Sequence, residues 1–160
     1  MNIGITGHQD LSEYVLNWIK NSLLDFIAKN KVVKGYSSLA IGADQLFVKC
    51  LLEMKIKYDV IIPCNSYETT FKNESDLSNF NSLLSSANKI AKLDFKEPSE
   101  LAFYKAGVKI VELSDMIIAV WDGQPAKGLG GTADIVEISL EKGKRVFHIN
   151  PVKKIKHFIQ

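Results

Sequence analysis

The strongest constraint on the fold is an alternation. Short runs rich in β-branched and other apolar residues take turns with longer segments of helical period, which is the pattern of a parallel sheet covered by helices. The runs predict strands over residues 2–6, 32–36, 59–62, 89–93, 116–121 and 145–149. Two of them, VIIP at 60–63 and MIIAVW at 116–121, are apolar at nearly every position instead of every second one. That pattern suits a strand with both faces buried, so these two should be central.

Between the strands, Leu11, Val15, Trp18, Ile19, Leu23 and Phe26 recur at helical spacing and mark one buried stripe, with Ser12 or Asp10 placed to cap it. Ala43, Leu46, Phe47, Cys50, Leu51 and Met54 repeat the pattern. Leu101, Tyr104, Val108 and Val111 do so on a later helix. A last helix turns Ile135, Val136, Ser139 and Leu140 inward and Asp134, Glu137 and Glu141 outward. The expected architecture is α/β: a Rossmann-like, doubly wound, mainly parallel sheet flanked by helices, in a single domain over residues 1–160. Residues 65–81 are mostly polar and long for a connection, which predicts a lid or a poorly ordered loop. Lys142, Lys144, Arg145, Lys153, Lys154 and Lys156 occur with no carboxylate among them after Lys142, as in a solvated basic tail.

Composition narrows the function classes. A chain of 160 residues with 46% hydrophobic content can fill one core without staples. Twenty Lys and Arg against eighteen Asp and Glu leave a net charge of +2, too balanced to make nucleic acid the expected partner. No apolar run approaches the roughly 18 residues of a membrane span, and the start MNIGITGHQD lacks signal-peptide features, so a cytoplasmic protein without membrane contact is expected. Cys50 and Cys64 stand in no CxxC or paired-His pattern. Both read as reduced and structural, with no metal site and no resident cofactor expected.

In an open parallel sheet, ligands bind beyond the carboxyl ends of the strands, where loops enter helices. Three such loops here are rich in Gly and small polar residues. They hold Thr6, Gly7 and His8 after the first strand, Ser37, Ser38, Gly42 and Asp44 after the second, and Asp122, Gly123, Lys127, Gly128, Gly130, Gly131 and Thr132 after the fifth. Glycine lets backbone N–H groups approach a ligand closely, and a helix N-terminus adds unpaired donors with about half a positive charge; together they suit a phosphate. Neither GxxxxGK[ST] nor a full GxGxxG is present, which removes the main support for an ordinary NTPase or dinucleotide dehydrogenase.

The order and spacing of TGHQDL, SLAIGADQ, VIIP, SDMIIAVWDG and GLGGTADI resemble the SLOG superfamily, which groups DNA-processing Smf/DprA proteins with the LOG phosphoribohydrolases. The resemblance spans residues 3–151. Ser37 to Asp44 is similar to the SGxAxGxD loop of the DNA-processing proteins, with Ser38 in place of a glycine and Ile41 in place of a residue often basic there. Losing that charge weakens any carry-over of single-stranded DNA binding. Gly130-Gly131-Thr132 resembles the GGxGT turn of LOG enzymes, which implies a nucleoside-phosphate pocket at the start of the last helix. Nucleoside deoxyribosyltransferases look distantly similar over Asp122-Gly123 and Gly131-Thr132. The relatives implied by the resemblance often form dimers or tetramers, so a homo-oligomer is expected.

One departure matters most. The enzyme families carry a Glu three residues after the Thr, and here that position is Ile135. A helix turns about 100° per residue, so neither Asp134 nor Glu137 points the same way. The remaining acidic candidates for catalysis are Asp44 and Asp122, each equally placed to bind a ribose hydroxyl. The expectation is therefore a sensor or carrier of a nucleotide or an NAD-derived small molecule. The alternatives are a nucleotide N-glycosidase using Asp44 or Asp122, and single-stranded DNA binding. Tyr67 and Phe71 either stack on a base or anchor the polar loop, Trp121 and Tyr36 carry the same ambiguity, and His148 reads as a satisfied core histidine.

Overall fold

The computed structural model describes residues 1–160. Its strands are β1 (Asn2–Gly7), β2 (Lys34–Ser37), β3 (Lys57–Ile62), β4 (Lys89–Lys92), β5 (Met116–Val120), β6 (Arg145–Asn150) and β7 (Ile155–Ile159). Its α-helices are α1 (Glu13–Lys29), α2 (Ala43–Glu53), α3 (Glu74–Ser85), α4 (Glu100–Leu113) and α5 (Thr132–Glu141). The seven strands form one sheet in the order β4-β3-β2-β1-β5-β6-β7, parallel throughout except for the antiparallel β6–β7 pair. This is the Rossmann-like α/β architecture expected.

Helices α1, α2 and α3 pack in succession against one another, and α4 packs on α5. Strand β5 shows why its sequence is apolar throughout: Ile118 and Val120 join the larger apolar cluster, while Ile117 and Ala119 join the smaller one. All five of its residues are buried. The sheet thus separates two cores, and its central strands have no solvent-facing side.

Four expectations need correction. Residues 65–81 are neither a lid nor a disordered loop: Tyr67–Thr70 form a 3-10 turn and α3 begins at Glu74, with Asn73 accepting the Asp76 N–H at 2.8 Å as a cap. The polar content misled because α3 buries only Phe80 and Leu83.

The basic C-terminal stretch is not a free tail either, because it contains β7. Phe158 packs against Phe147 at 5.1 Å, Arg145 lies over its ring at 4.2 Å, and Lys156 pairs with Asp25 of α1 at 3.6 Å. On α4 the buried face is Ala102, Ala106, Ile110 and Val111, while Leu101 is 47% exposed. The helix lies close to β1, and the space left by Gly4, where a Cβ would stand 2.5 Å from Ile110 Cγ2, is filled by Ile110, which sets the face that buries Ala102 and Ala106 and leaves Leu101 outward. Finally, Ser12 occupies the α1 cap position, but its side chain makes no capping bond.

Candidate functional site

Strands β1 and β5 are neighbours in register, Gly7 beside Val120, yet their following loops lead to helices on opposite faces of the sheet. Such a reversal of strand order leaves a crevice beyond the strand ends. Here it is a cleft of about 720 Å³. Of the residues expected to bind, Thr6, Gly7, His8, Ser38, Asp44, Asp122, Lys127, Gly130, Gly131 and Thr132 line it. Ser37, Gly42, Gly123 and Gly128 do not.

The four that stand back from the cleft shape its walls. Gly42 has φ +87° and ψ −122°, and a Cβ on it would stand 2.5 Å from both the His8 and Gln9 carbonyl oxygens. The Ala43 N–H donates to His8 O at 3.1 Å, so the turn after β2 is clamped onto the loop after β1. Ser37 is fully buried; its Oγ–H donates to Asp44 Oδ2 at 3.1 Å and its oxygen accepts the Leu39 N–H at 2.9 Å. Gly128 lies against the Glu100 carboxylate, and Gly123, at φ +87°, allows the bend after Asp122.

Asp44 organises its own loop. Its Oδ2 accepts from the Ser37 hydroxyl and from the Ser38 N–H, both at 3.1 Å. Burial nevertheless pushes the carboxyl up to about 6, against the pull of those hydrogen bonds and the Ala40 amide.

Asp122 is in a different setting. It is one-third exposed, its Oδ1 accepts the Gln124 N–H at 2.9 Å, and His8 Nε2 lies 3.2 Å from that same oxygen. The Gln124 N–H, and then His8, hold its carboxyl below the usual carboxylate range. The Asp122 N–H also donates to His8 Nε2 at 3.2 Å, so a neutral ring accepts from the backbone and a protonated ring pairs with the carboxylate.

The third wall is the start of α5, where Gly131 occupies the cap position and no side chain takes up the first amides. The Asp134 carboxylate turns back instead to accept the Gly130 N–H at 2.8 Å. Ile135, in the position of the missing Glu, is 3% exposed and packs directly on Gly107 of α4. That position is an apolar wall.

Tyr67 and Phe71 are anchors, not exposed stacking platforms. Phe71 stacks on Phe80 at 4.4 Å, and the Tyr67 ring meets Phe71, Phe80 and Phe103 edge-on at 5.5, 5.6 and 6.3 Å. Trp121 donates its Nε1–H to Gln124 O at 2.8 Å, and Tyr36 is buried in the smaller core. His148 is buried as expected, with Nε2–H donating to Trp121 O at 2.7 Å and burial lowering its pKa. Cys50 and Cys64 are buried free thiols, and burial raises Cys50 to about 11. No helix is long and apolar enough to cross a membrane.

Sequence reasoning missed Phe103, Gly107 and Asn150. The first two lie outside the stripe that the sequence turned inward on α4, and the face that instead buries Ala102, Ala106 and Ile110 carries them to the cleft. Asn150 donates to Asp122 O at 3.0 Å while its Oδ1 accepts the Val152 and Lys153 amides, tying the Asp122 loop to the β6–β7 turn. Its only signal in the sequence was a buried strand ending in Asn.

No protein-family model and no curated sequence matches the chain. Solved structures do. DNA processing protein A from Streptococcus pneumoniae superposes with a TM-score of 0.67 and 16% identity over 92% of this chain and 49% of that one. DNA processing protein A from Helicobacter pylori, described by its single-stranded DNA binding mode, gives 0.66 and 18% over 92% and 64%. The molybdenum cofactor binding protein of Rippkaea orientalis gives 0.58 and 16% over 93% and 76%. The chain thus spans 49% and 64% of the length of the two DNA processing proteins. At these identities the shared property is the fold, and the fold of this chain is the Rossmann-like α/β one that these proteins share.

Proposed function

We propose that the cleft binds a nucleotide or NAD-derived small molecule as a sensor or carrier, with its phosphate held at the start of α5. The observation that carries this reading is the convergence of two loops and an uncapped helix start on one cleft, with Lys127 on the same wall. A helix N-terminus offers both unpaired amides and a positive dipole end to a phosphate. The buried Ile135 removes the carboxylate that the resembling enzymes would use, which favours holding over cleaving. The molybdenum cofactor binding neighbour makes that cofactor a further candidate ligand. The same proposal includes one domain over residues 1–160 and a homo-oligomer, the latter checked by light scattering.

The test is calorimetry of the purified protein against AMP, ADP-ribose and inorganic phosphate. Stoichiometric nucleotide binding that phosphate competes away is expected; no heat with any nucleotide overturns the reading. A single-stranded oligonucleotide serves as control, because binding that weakens steeply with salt would move the assignment to nucleic acid.

One observation favours a second reading. Asp122, held ionised beside His8 in the cleft, is placed to stabilise the cationic character that develops when an N-glycosidic bond breaks. Free base released from a nucleoside monophosphate, and lost in Asp122→Asn, would establish that reaction; intact substrate after prolonged incubation eliminates it.

A further inference from the structure

Tyr67 presents an unusual combination. Its side chain is buried, with the residue only 5% exposed, and its ring is packed among Phe71, Phe80 and Phe103. A phenylalanine would serve that packing as well. Yet its hydroxyl has no hydrogen-bond partner in the protein, whereas every fully buried side-chain nitrogen and oxygen does have one. The oxygen is therefore not fully enclosed, and Tyr67 lines the cleft.

Asp44 lines the same cleft, and its charge is felt at the Tyr67 hydroxyl. The hydrogen bonds from Ser37 and Ser38 both fall on Oδ2, leaving Oδ1 free of both. Burial pushes the Tyr67 phenol far above its ordinary range, so it stays neutral and can donate. A donor and an acceptor lining one cleft match a group that both accepts and donates. An alcohol does so; a phosphate does not, since the Asp44 carboxylate would repel it. The opposite wall, at α5, suits the anion.

We propose that Tyr67 and Asp44 together read a sugar hydroxyl of the bound nucleotide, with the Tyr67 Oη–H donating to it and Asp44 accepting from it. This rests on the nucleotide reading above and deepens it: the ligand lies with its phosphate at α5 and its ribose toward α2, and the site discriminates a nucleotide from the deoxy analogue that lacks the hydroxyl read. Tyr67 is then a specificity-determining residue.

The experiment compares wild-type protein with Tyr67→Phe by calorimetry, using AMP, 2′-deoxy-AMP and 3′-deoxy-AMP, with ADP-ribose as a second probe. The variant keeps the ring and removes one oxygen. Wild-type protein is expected to bind AMP more tightly than the analogue lacking the hydroxyl that is read. Tyr67→Phe should weaken AMP about two- to tenfold, the range for one lost hydrogen bond, and leave that analogue unchanged. Equal losses on AMP and both analogues, or no loss on any, overturn the proposal while leaving nucleotide binding intact. Should the variant prove unstable, wild-type protein decides alone: equal affinity for AMP and both analogues is refuting. Absence of nucleotide binding by wild-type protein overturns the broader reading and this one with it.

Discussion

Replacing Asp44 by asparagine should change how stability depends on pH. The carboxyl is buried, and its pKa in the folded chain is about 6 against an ordinary 3.8. Folding therefore favours the protonated form. The stability associated with that form is fully present below about pH 4 and is lost as pH rises through about 6, levelling off above about 7. At about 1.4 kcal/mol per pH unit, the displacement amounts to about 3 kcal/mol. The substituted amide would not titrate, and its oxygen can still accept from Ser37 and Ser38. Urea unfolding of both proteins between about pH 4 and 7.5 isolates the effect, because other groups cancel in the difference. Wild-type protein should lose about 3 kcal/mol relative to Asp44→Asn across that interval, a midpoint change of between about 1 and 3 M urea at ordinary m-values. A flat difference, or wild-type protein gaining as pH rises, would refute the balance of burial over hydrogen bonding that places Asp44 near 6. Ligand affinity adds a second arm: if ionised Asp44 accepts a sugar hydroxyl, nucleotide binding should strengthen as pH rises through about 6.

Gly42→Ala should cost about 3 kcal/mol or more in denaturant unfolding, since its φ of +87° with ψ −122° is open essentially only to glycine and a Cβ would meet two backbone carbonyls that cannot rotate away. A loss under about 1 kcal/mol would show that the two loops are not clamped there. Phe158→Ala should lose about 1–2 kcal/mol, because the ring is partly exposed yet packs on Phe147 and under Arg145. Hydrogen exchange should then show faster exchange at β7 amides, and unchanged rates would mean that β7 is held by its backbone pairing alone.

Much of the architecture was legible because it is local. Whether apolar residues recur at every position, every second or every third and fourth depends on a few neighbours, so the strands from β1 to β6 and the helices α1, α2, α4 and α5 read directly from residues such as the MIIAVW run, whereas α3, with only Phe80 and Leu83 buried, did not. The glycine turns after β1, β2 and β5 were legible for the same reason. The face of α4, the edge strand β7 and the division of the glycines between cleft and scaffold were settled only by tertiary packing. Leu101 outweighs Ala102 in any hydropathy reading, yet Ile110 seated over Gly4 on β1 sets the buried face of the helix and turns Leu101 outward. Gly42 resembles a phosphate contact in sequence and instead presses on the His8 and Gln9 carbonyls. Tyr67 read equally as a ring to stack on a base or as an anchor of the polar loop, and only the surrounding phenylalanines, which bury that ring at the edge of the cleft, decide for the anchor. A local pattern sets which residues form an element, but which side of it meets a ligand depends on the shape of elements distant in the chain.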